Sequence, residues 1–348
     1  MPLKRVCLGI VLAIAACTNI YGRESALWDQ YKQNFLSEDG RIIDIAQDKA
    51  SHSEGQGYGM FLAVVHGDRA AFDRIWQWTR NNLQVRSDSL FAWHWGKRPN
   101  GDWAVIDYNN ATDGDIMIAY ALLQAREQWQ AESYRDASLK VIGDIRTRLS
   151  VVRQGRTFLL PGYSGFTRET GLVLNPSYLI LPAFRMFGRV DQAAFWDKVT
   201  TDGLFLIDRS CFGSLCLPAD WVMVEGDRVA PSPGNDPYFG GNAIRIVLNL
   251  SREDAPRYPA GVSALLDRYR LTGHLPQWID LEKDSVSLRP ASAGHFAIFS
   301  LAAGKLGDKP LARRLLDEAN KKLKTEMHAY YSFSLYLLAT TGSRPIGN

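Results

Sequence analysis

Cysteine, charge of one sign and long apolar runs are all scarce in this chain of 348 residues. Forty Lys and Arg stand against 37 Asp and Glu, a formal net charge of +3, and no basic run is longer than Lys321–Lys322. A nucleic-acid binder neutralises phosphates with clustered cations, so this balance lacks the footprint of one. Beyond the first residues no segment reaches the roughly 18 apolar positions of a membrane-crossing helix, so the mature chain is expected not to span a bilayer. Gly-x-Ser-x-Gly in a strand–turn–helix setting is missing, which argues against a serine-hydrolase elbow. His-Glu-x-x-His is missing too, which argues against a zincin peptidase. Four Cys without a second close pair, and six scattered His, give a zinc site no framework. With 46% hydrophobic and 22% charged residues the composition is that of a globular protein, neither disordered nor fibrous.

What is present begins at the N-terminus. Lys4 and Arg5 precede an apolar run from Val6 to Ala16. A charged n-region and a short h-region make a secretory signal, expected over residues 1–22. Ala13-Ile14-Ala15 fits ordinary cleavage, and Ile14-Ala15-Ala16-Cys17 fits a lipoprotein signal with Cys17 lipidated. Either way the mature chain is expected to be exported, secreted or periplasmic. An oxidising compartment would allow Cys211 and Cys216 to bridge a small loop, and the spacing leaves both the paired and the free state open.

Residues 23–348 carry no Pro/Gly/Ser-rich linker and read as one domain. Apolar residues recur with helical period at 25–36, 57–66, 69–83, 114–129, 132–149, 176–187, 190–206, 241–250, 258–271, 292–304, 309–324 and 328–340. In one of them Phe72, Ile75, Trp76 and Leu83 form a stripe, with Thr79 interrupting it and Trp78 off it. Short β-like pieces, Val151–Val152 and Thr157–Leu160, lie between helices. Twelve helices make six hairpins, which can close into an (α/α)6 barrel. An open solenoid is the alternative, although no repeated signature accompanies it.

Two acidic motifs stand at predicted helix starts. In Ser51-His-Ser-Glu54-Gly-Gln-Gly-Tyr58-Gly59-Met60, Ser53 and Gln56 fit a capping box and Glu54 suits the helix dipole. Equally, Glu54 fits a helix mouth facing a cleft, with Gly55 and Gly57 letting substrate approach. In Asn109-Asn110-Ala111-Thr112-Asp113-Gly114-Asp115, Thr112 and Asp115 fit a capping box. Capping explains one acid but not two beside Asp107 and two Asn, a setting in which carboxyl pKa values move apart. Asp113, Asp115 and Asn110 are also hard oxygen ligands for calcium, without the full twelve-residue loop pattern.

Aromatic residues stand out, many of them in predicted loops: Phe91, Trp93, Trp95, Trp103, Tyr108, Trp221, Trp278, Tyr330 and Tyr331. Each alone suits a core. Together with two acidic motifs they suggest a sugar groove, because the CH face of a pyranose packs on an aromatic ring. Cleaving a glycosidic bond takes one protonated carboxyl at the leaving oxygen and one carboxylate acting on water or the anomeric carbon.

At these residues the chain resembles glycoside hydrolase family 8, most like the exported endo-β-1,4-glucanases associated with bacterial cellulose synthesis. Ser53 to Met60 is similar to the family's acid motif. Ala111-Thr112-Asp113-Gly114-Asp115, continuing through Ile118, Ala121, Ala125 and Trp129, is similar to its signature. Asn175-Pro-Ser-Tyr178, Leu217-Pro-Ala-Asp-Trp221 and Leu275-Pro-Gln-Trp278 are similar to later segments. The resemblance implies an (α/α)6 barrel, an inverting mechanism, a β-1,4-glucan substrate, and neither cofactor nor metal. A link to a cellulose synthase complex also follows from it. Carried over by position, Glu54 would be the proton donor and Asp113 the carboxylate at the reaction centre. Tyr58, Trp95, Asp115, Tyr178, Trp221 and Arg245 would bind substrate or shape the cleft.

One segment departs from the pattern. Phe239-Gly-Gly-Asn242-Ala243-Ile244-Arg245 is similar to the stretch in which the family carries the Asp that activates water, and Asn242 stands at that position. An amide does not accept a proton at neutral pH as a carboxylate does. Three accounts stand: Asp236 or Asp113 substitutes as base, the chain mainly binds or trims glucan with slow turnover, or the segment is displaced in register. Related activities on xylan, lichenan or chitosan fit the sequence as well.

Overall fold

Two kinds of helix alternate along the chain. Helix α3 (Arg69–Asn82) buries one face, with Phe72, Ile75 and Trp76 inward and charged residues outward, the pattern of a helix with one side in water. Its predecessor α2 (Ser53–Val65) is small or apolar on every side and is buried almost throughout. A helix apolar all round belongs inside a core. The computed structural model describes residues 25–341, in which helix α1 covers 25–35. It is followed by α2, α3, α4 (Thr112–Trp129), α5 (Glu132–Arg148), α6 (Leu181–Val190), α7 (Ala193–Arg209), α8 (Ile244–Ser251), α9 (Ala260–Thr272), α10 (Ala293–Lys305), α11 (Lys309–Leu323) and α12 (Tyr330–Thr340).

The even-numbered helices form a closed inner ring. α2 packs on α4, α4 on α6, α6 on α8, α8 on α10, α10 on α12, and α12 returns to α2. Outside it, α3 packs on α2, α5 on α4, α7 on α6 and α11 on α10. Tyr31 and Phe35 of α1 meet Phe333 of α12 edge-on, and Tyr269 of α9 meets Phe296 of α10. The ring closes, so the fold is the expected (α/α)6 barrel rather than an open solenoid.

Short sheets decorate the barrel. Strand β1 (Ser51–His52) runs straight into α2 and pairs antiparallel with β2 (His94–Lys97), which pairs with β3 (Trp103–Asp107). The β-like pieces expected near 151 and 157 are the hairpin β4 (Ser150–Arg153) and β5 (Arg156–Leu159). Further sheets run β6 (Leu172–Leu174), β7 (Val222–Glu225), β8 (Arg228–Pro231), and β11 (Ser285–Val286), β10 (Ile279–Asp280), β9 (Tyr238–Phe239).

Three expectations need correction. The helix expected over 176–187 is broken: Pro176–Tyr178 is a 3-10 turn capped by Asn175, and α6 begins only at Leu181. Pro182 disfavours helical geometry at the residue before it, which confines it to the first turn of α6. Neither capping box forms, since the N-cap positions of α2 and α4 are His52 and Ala111, which make no side-chain cap. Gln56 instead accepts from Ile42 N (2.6 Å) and donates to Thr79 Oγ1 (2.8 Å), which explains the polar break in the α3 stripe. Leaving such a buried amide unpaired would cost roughly 1–3 kcal/mol. Cys211 and Cys216 are bonded to each other, so the pairing left open by their spacing is resolved. The signal reading, with Cys17, lies outside the described residues.

Candidate active site

Glycine brings the two acids together. A Cβ on Gly114 would lie 2.3 Å from Ser53 Oγ and 2.7 Å from Glu54 N, and one on Gly57 would lie 2.7 Å from Met117 Cβ. Without side chains there, α2 and α4 touch backbone to backbone, and their first turns present Glu54 and Asp113 side by side. The glycines therefore serve helix packing and not the approach of substrate: a Cβ on Gly55 would meet Tyr330 Oη at 2.6 Å.

The N-terminal ends of α2, α4, α8 and α12 meet around a cleft of about 400 Å³. Glu54, Asp113, Tyr178, Asn242, Arg245 and Tyr331 line it. Arg245 is the hub. Its Nη1 donates to Asp113 Oδ2 (2.7 Å), to Tyr58 Oη (3.1 Å) and to Glu54 Oε2, while Nη2 donates to Asn242 Oδ1 (2.6 Å). Its guanidinium carbon also lies 5.6 Å from the centre of the Tyr178 ring. A buried cation so paired satisfies two carboxylates at once.

Burial pushes the Glu54 carboxyl up to about 8; Arg245 pulls it back down and the neighbouring Asp113 raises it again. Glu54 thus holds a proton at neutral pH although it faces an open cleft. A carboxyl kept protonated beside a second carboxyl is the division of labour that acid-catalysed glycoside cleavage needs.

The remaining sequence candidates separate. Tyr58 is buried under the cleft and reaches it through Arg245. Trp221 stacks on Phe166 at 5.9 Å and meets Tyr178 edge-on at 6.4 Å, backing the cleft wall. Asp115, expected to bind substrate, is fully buried and turned away: it accepts from Phe91 N (2.9 Å) and Asn110 Nδ2 (2.7 Å). Burial raises its carboxyl to about 7. Asp113 and Asp115 therefore point to different partners and do not converge on a calcium site. Among the described residues no cluster of three or more His, Cys, Asp or Glu is arranged to hold a metal.

Trp95 does not line the cleft. A β-bulge between His94 and Trp95 breaks the alternation that would put Trp93 and Trp95 on one face. Trp95 packs on Trp78 and Trp103 under Arg41, and Trp93 faces the cleft in its place, against the His52 and His94 rings. Asp236 is exposed and is not among the cleft residues, so it is not placed to substitute as base. Asp220 lies closer, but its Oδ1 is taken up by the backbone amides of Gly240, Asn242 and Ala243. Asp44, Gln47 and His52 also line the cleft. Sequence reasoning missed Asp44 and Gln47 because they stand outside both acidic motifs; His52 lies within the first of them, two residues before Glu54, and that was the one available signal.

A helical barrel with a protonated carboxyl, a second carboxyl and aromatic walls in one open cleft is the apparatus of an acid-catalysed glycoside hydrolase. A profile described as Glycosyl hydrolases family 8 matches residues 3–343, and the chain belongs to that family. It is 37% identical over 319 residues to an endoglucanase of Cellulomonas uda, covering 91% of this chain and 86% of that protein. It is 34% identical to a probable endoglucanase of Novacetimonas hansenii, with 89% and 88% covered. Among solved structures it is similar to a family 8 endo-β-1,4-glucanase from an Achatina fulica gut metagenomic library. The TM-score there is 0.79 at 35% identity, covering 90% of this chain and 95% of that one. The endo-β-1,4-glucanase of Acetobacter xylinum gives 0.79 at 30% identity, covering 91% and 97%.

Proposed function

We propose that the chain is an endo-β-1,4-glucanase that cleaves internal bonds of a glucan with inversion at the anomeric carbon. The observation that carries this reading is the Glu54 carboxyl, protonated up to about pH 8 beside Asp113 and Arg245 in an open cleft. Glu54 gives its proton to the leaving oxygen. Asp113, held by Arg245, faces the positive charge that develops at the anomeric carbon. Trp93 and Tyr178 supply flat faces for the sugar rings. The likeness to endoglucanases supports the choice of β-1,4-glucan over xylan, lichenan or chitosan, and a panel of those polymers tests it. Glu54→Gln should abolish release of reducing ends from carboxymethylcellulose with the fold intact; unchanged activity would defeat the assignment.

Asn242 favours a second reading, a glucan-binding protein with weak turnover. Binding to cellulose with no product at any pH would establish it. Export through residues 1–22, with or without a lipid on Cys17, is part of the proposal. The Cys211–Cys216 bond supports it, since such bonds persist in oxidising compartments. A role beside a cellulose synthase complex rests on the family resemblance, and co-purification with such a complex tests it.

A further inference from the structure

The side of the cleft across the Arg245 guanidinium from Glu54 carries a donor where an acceptor is needed. Arginine has no lone pair to offer, so the Asn242 atom facing Arg245 Nη2 at 2.6 Å must be Oδ1. The same Oδ1 accepts from Asn175 Nδ2 at 3.2 Å. The Asn175 amide is itself fixed, because its Oδ1 accepts from Ser177 N and Ser177 Oγ. Both contacts therefore lock one orientation of Asn242. Its Nδ2 has no protein partner among the described residues, and the residue lines the cleft. A carboxylate here would spend one oxygen on Arg245 and offer the other to water. Asn242 offers an N–H instead.

No other carboxylate replaces it on that side: Asp113 shares Arg245 Nη1 with Glu54, and its other oxygen accepts from Gly114 N. Asp220 gives one oxygen to three backbone amides, and neither it nor Asp236 lines the cleft. Asp44 lines the cleft, but its two oxygens accept from Ala46 N and Gln47 Nε2. The acid half of the reaction is complete and the base half is missing. Water attacking a sugar must lose a proton, whereas a nucleophile that is already an anion need not.

We propose that this cleft takes a small oxyanion of the phosphate class as nucleophile beside Asn242 Nδ2 and Arg245, and cleaves the glucan by transferring a glycosyl unit to it. The inference rests on the reading of Glu54 as proton donor and adds a second substrate to that site. An oxygen of hydrogen phosphate forms the new bond to the anomeric carbon from the Asn242 side. The bond from that carbon to the bridging oxygen breaks, and the Glu54 proton goes to the departing hydroxyl. The phosphate hydroxyl then releases one proton, which restores Glu54, so the sum is glucan plus hydrogen phosphate giving an α-glycosyl phosphate and a shortened glucan. The Asn242 Nδ2 donor attracts an anion at the entry point, where a carboxylate would repel it.

The test uses the purified full chain with cello-oligosaccharides, in inorganic phosphate and in chloride at equal ionic strength. Products are followed by phosphorus and proton magnetic resonance. The expected result is an α-glycosyl phosphate, with cleavage faster in phosphate by on the order of 100-fold, the usual worth of a general base. Asn242→Asp keeps an oxygen for Arg245 and Asn175. It should reverse the preference, speeding cleavage by water by a similar factor and abolishing the phosphate adduct. Free sugar as sole product, at a rate indifferent to phosphate, overturns the proposal and leaves the endoglucanase reading standing. A wild-type chain inert in both salts overturns it too. In that case an active Asn242→Asp variant keeps Glu54 as the acid, and an inert variant sinks the endoglucanase reading as well.

Discussion

Arg245 donates to Asp113 Oδ2 at 2.7 Å from the same nitrogen that reaches Glu54. One cation therefore sits between the two carboxyls that the chemistry must keep distinct. It lowers the Glu54 carboxyl against the push of burial and of Asp113.

Activity in the wild-type chain should fall as pH rises through about 8, where Glu54 loses the proton that the proposed mechanism has it donate. Arg245→Met should lower kcat by at least about 100-fold, given the usual worth of electrostatic stabilisation. It should also move that alkaline limb upward, because the charge that lowered the pKa is gone. A pH–rate profile of both proteins checks the direction. A limb that moves downward would contradict the pairing.

Folding stability should decline with pH between the ordinary carboxyl range and about 7 to 8. Glu54 and Asp115 both bind protons more tightly folded than unfolded, since burial raises both. The unfolded chain therefore holds fewer protons in that window, and stability drops by up to ~1.4 kcal/mol per pH unit for each group. Above the folded pKa values the slope contributed by these two groups vanishes. Urea unfolding at several pH values measures it.

Asp115 acts on the loop ahead of α4. Asp115→Asn replaces an acceptor by a donor facing Asn110 Nδ2, so it should destabilise by about 1–3 kcal/mol. Denaturant midpoints at fixed pH give the figure. An unchanged midpoint together with a raised KM would return Asp115 to substrate binding.

Trp93 and Trp95 should part company. Trp93→Ala removes a cleft face, and KM for soluble glucan should rise about 2- to 10-fold, the range of an aromatic stacking contact. Trp95→Ala removes packing on Trp78 and Trp103, so stability should fall with KM little changed.

Reduction of Cys211–Cys216 should cost about 2 kcal/mol, the chain-entropy value for so short a loop. The two cysteines lie outside the cleft, so glucan cleavage by folded protein should persist after reduction.

Much of the barrel was legible because its period is local. The stripe of Phe72, Ile75 and Trp76 announces α3 without reference to the rest of the chain. Glu54 and Asp113 were legible as motifs, yet the local capping logic applied to Ser53 and Thr112 failed. Thr112 Oγ1 donates to Leu160 O across 48 residues, and Gln56 serves a loop and α3. Tertiary partners had claimed side chains that short-range spacing assigned to the helix ends. The exchange of Trp95 for Trp93 turned on a bulge, one extra residue that no alternation rule anticipates.

Helix α12 both seals the ring against α2 and lends Tyr330 and Tyr331 to the cleft. One helix thus serves scaffold and reaction chamber together. A chain clipped ahead of Tyr330 would own both acids but no working enclosure. Proteolytic loss of that single helix would therefore switch the enzyme off.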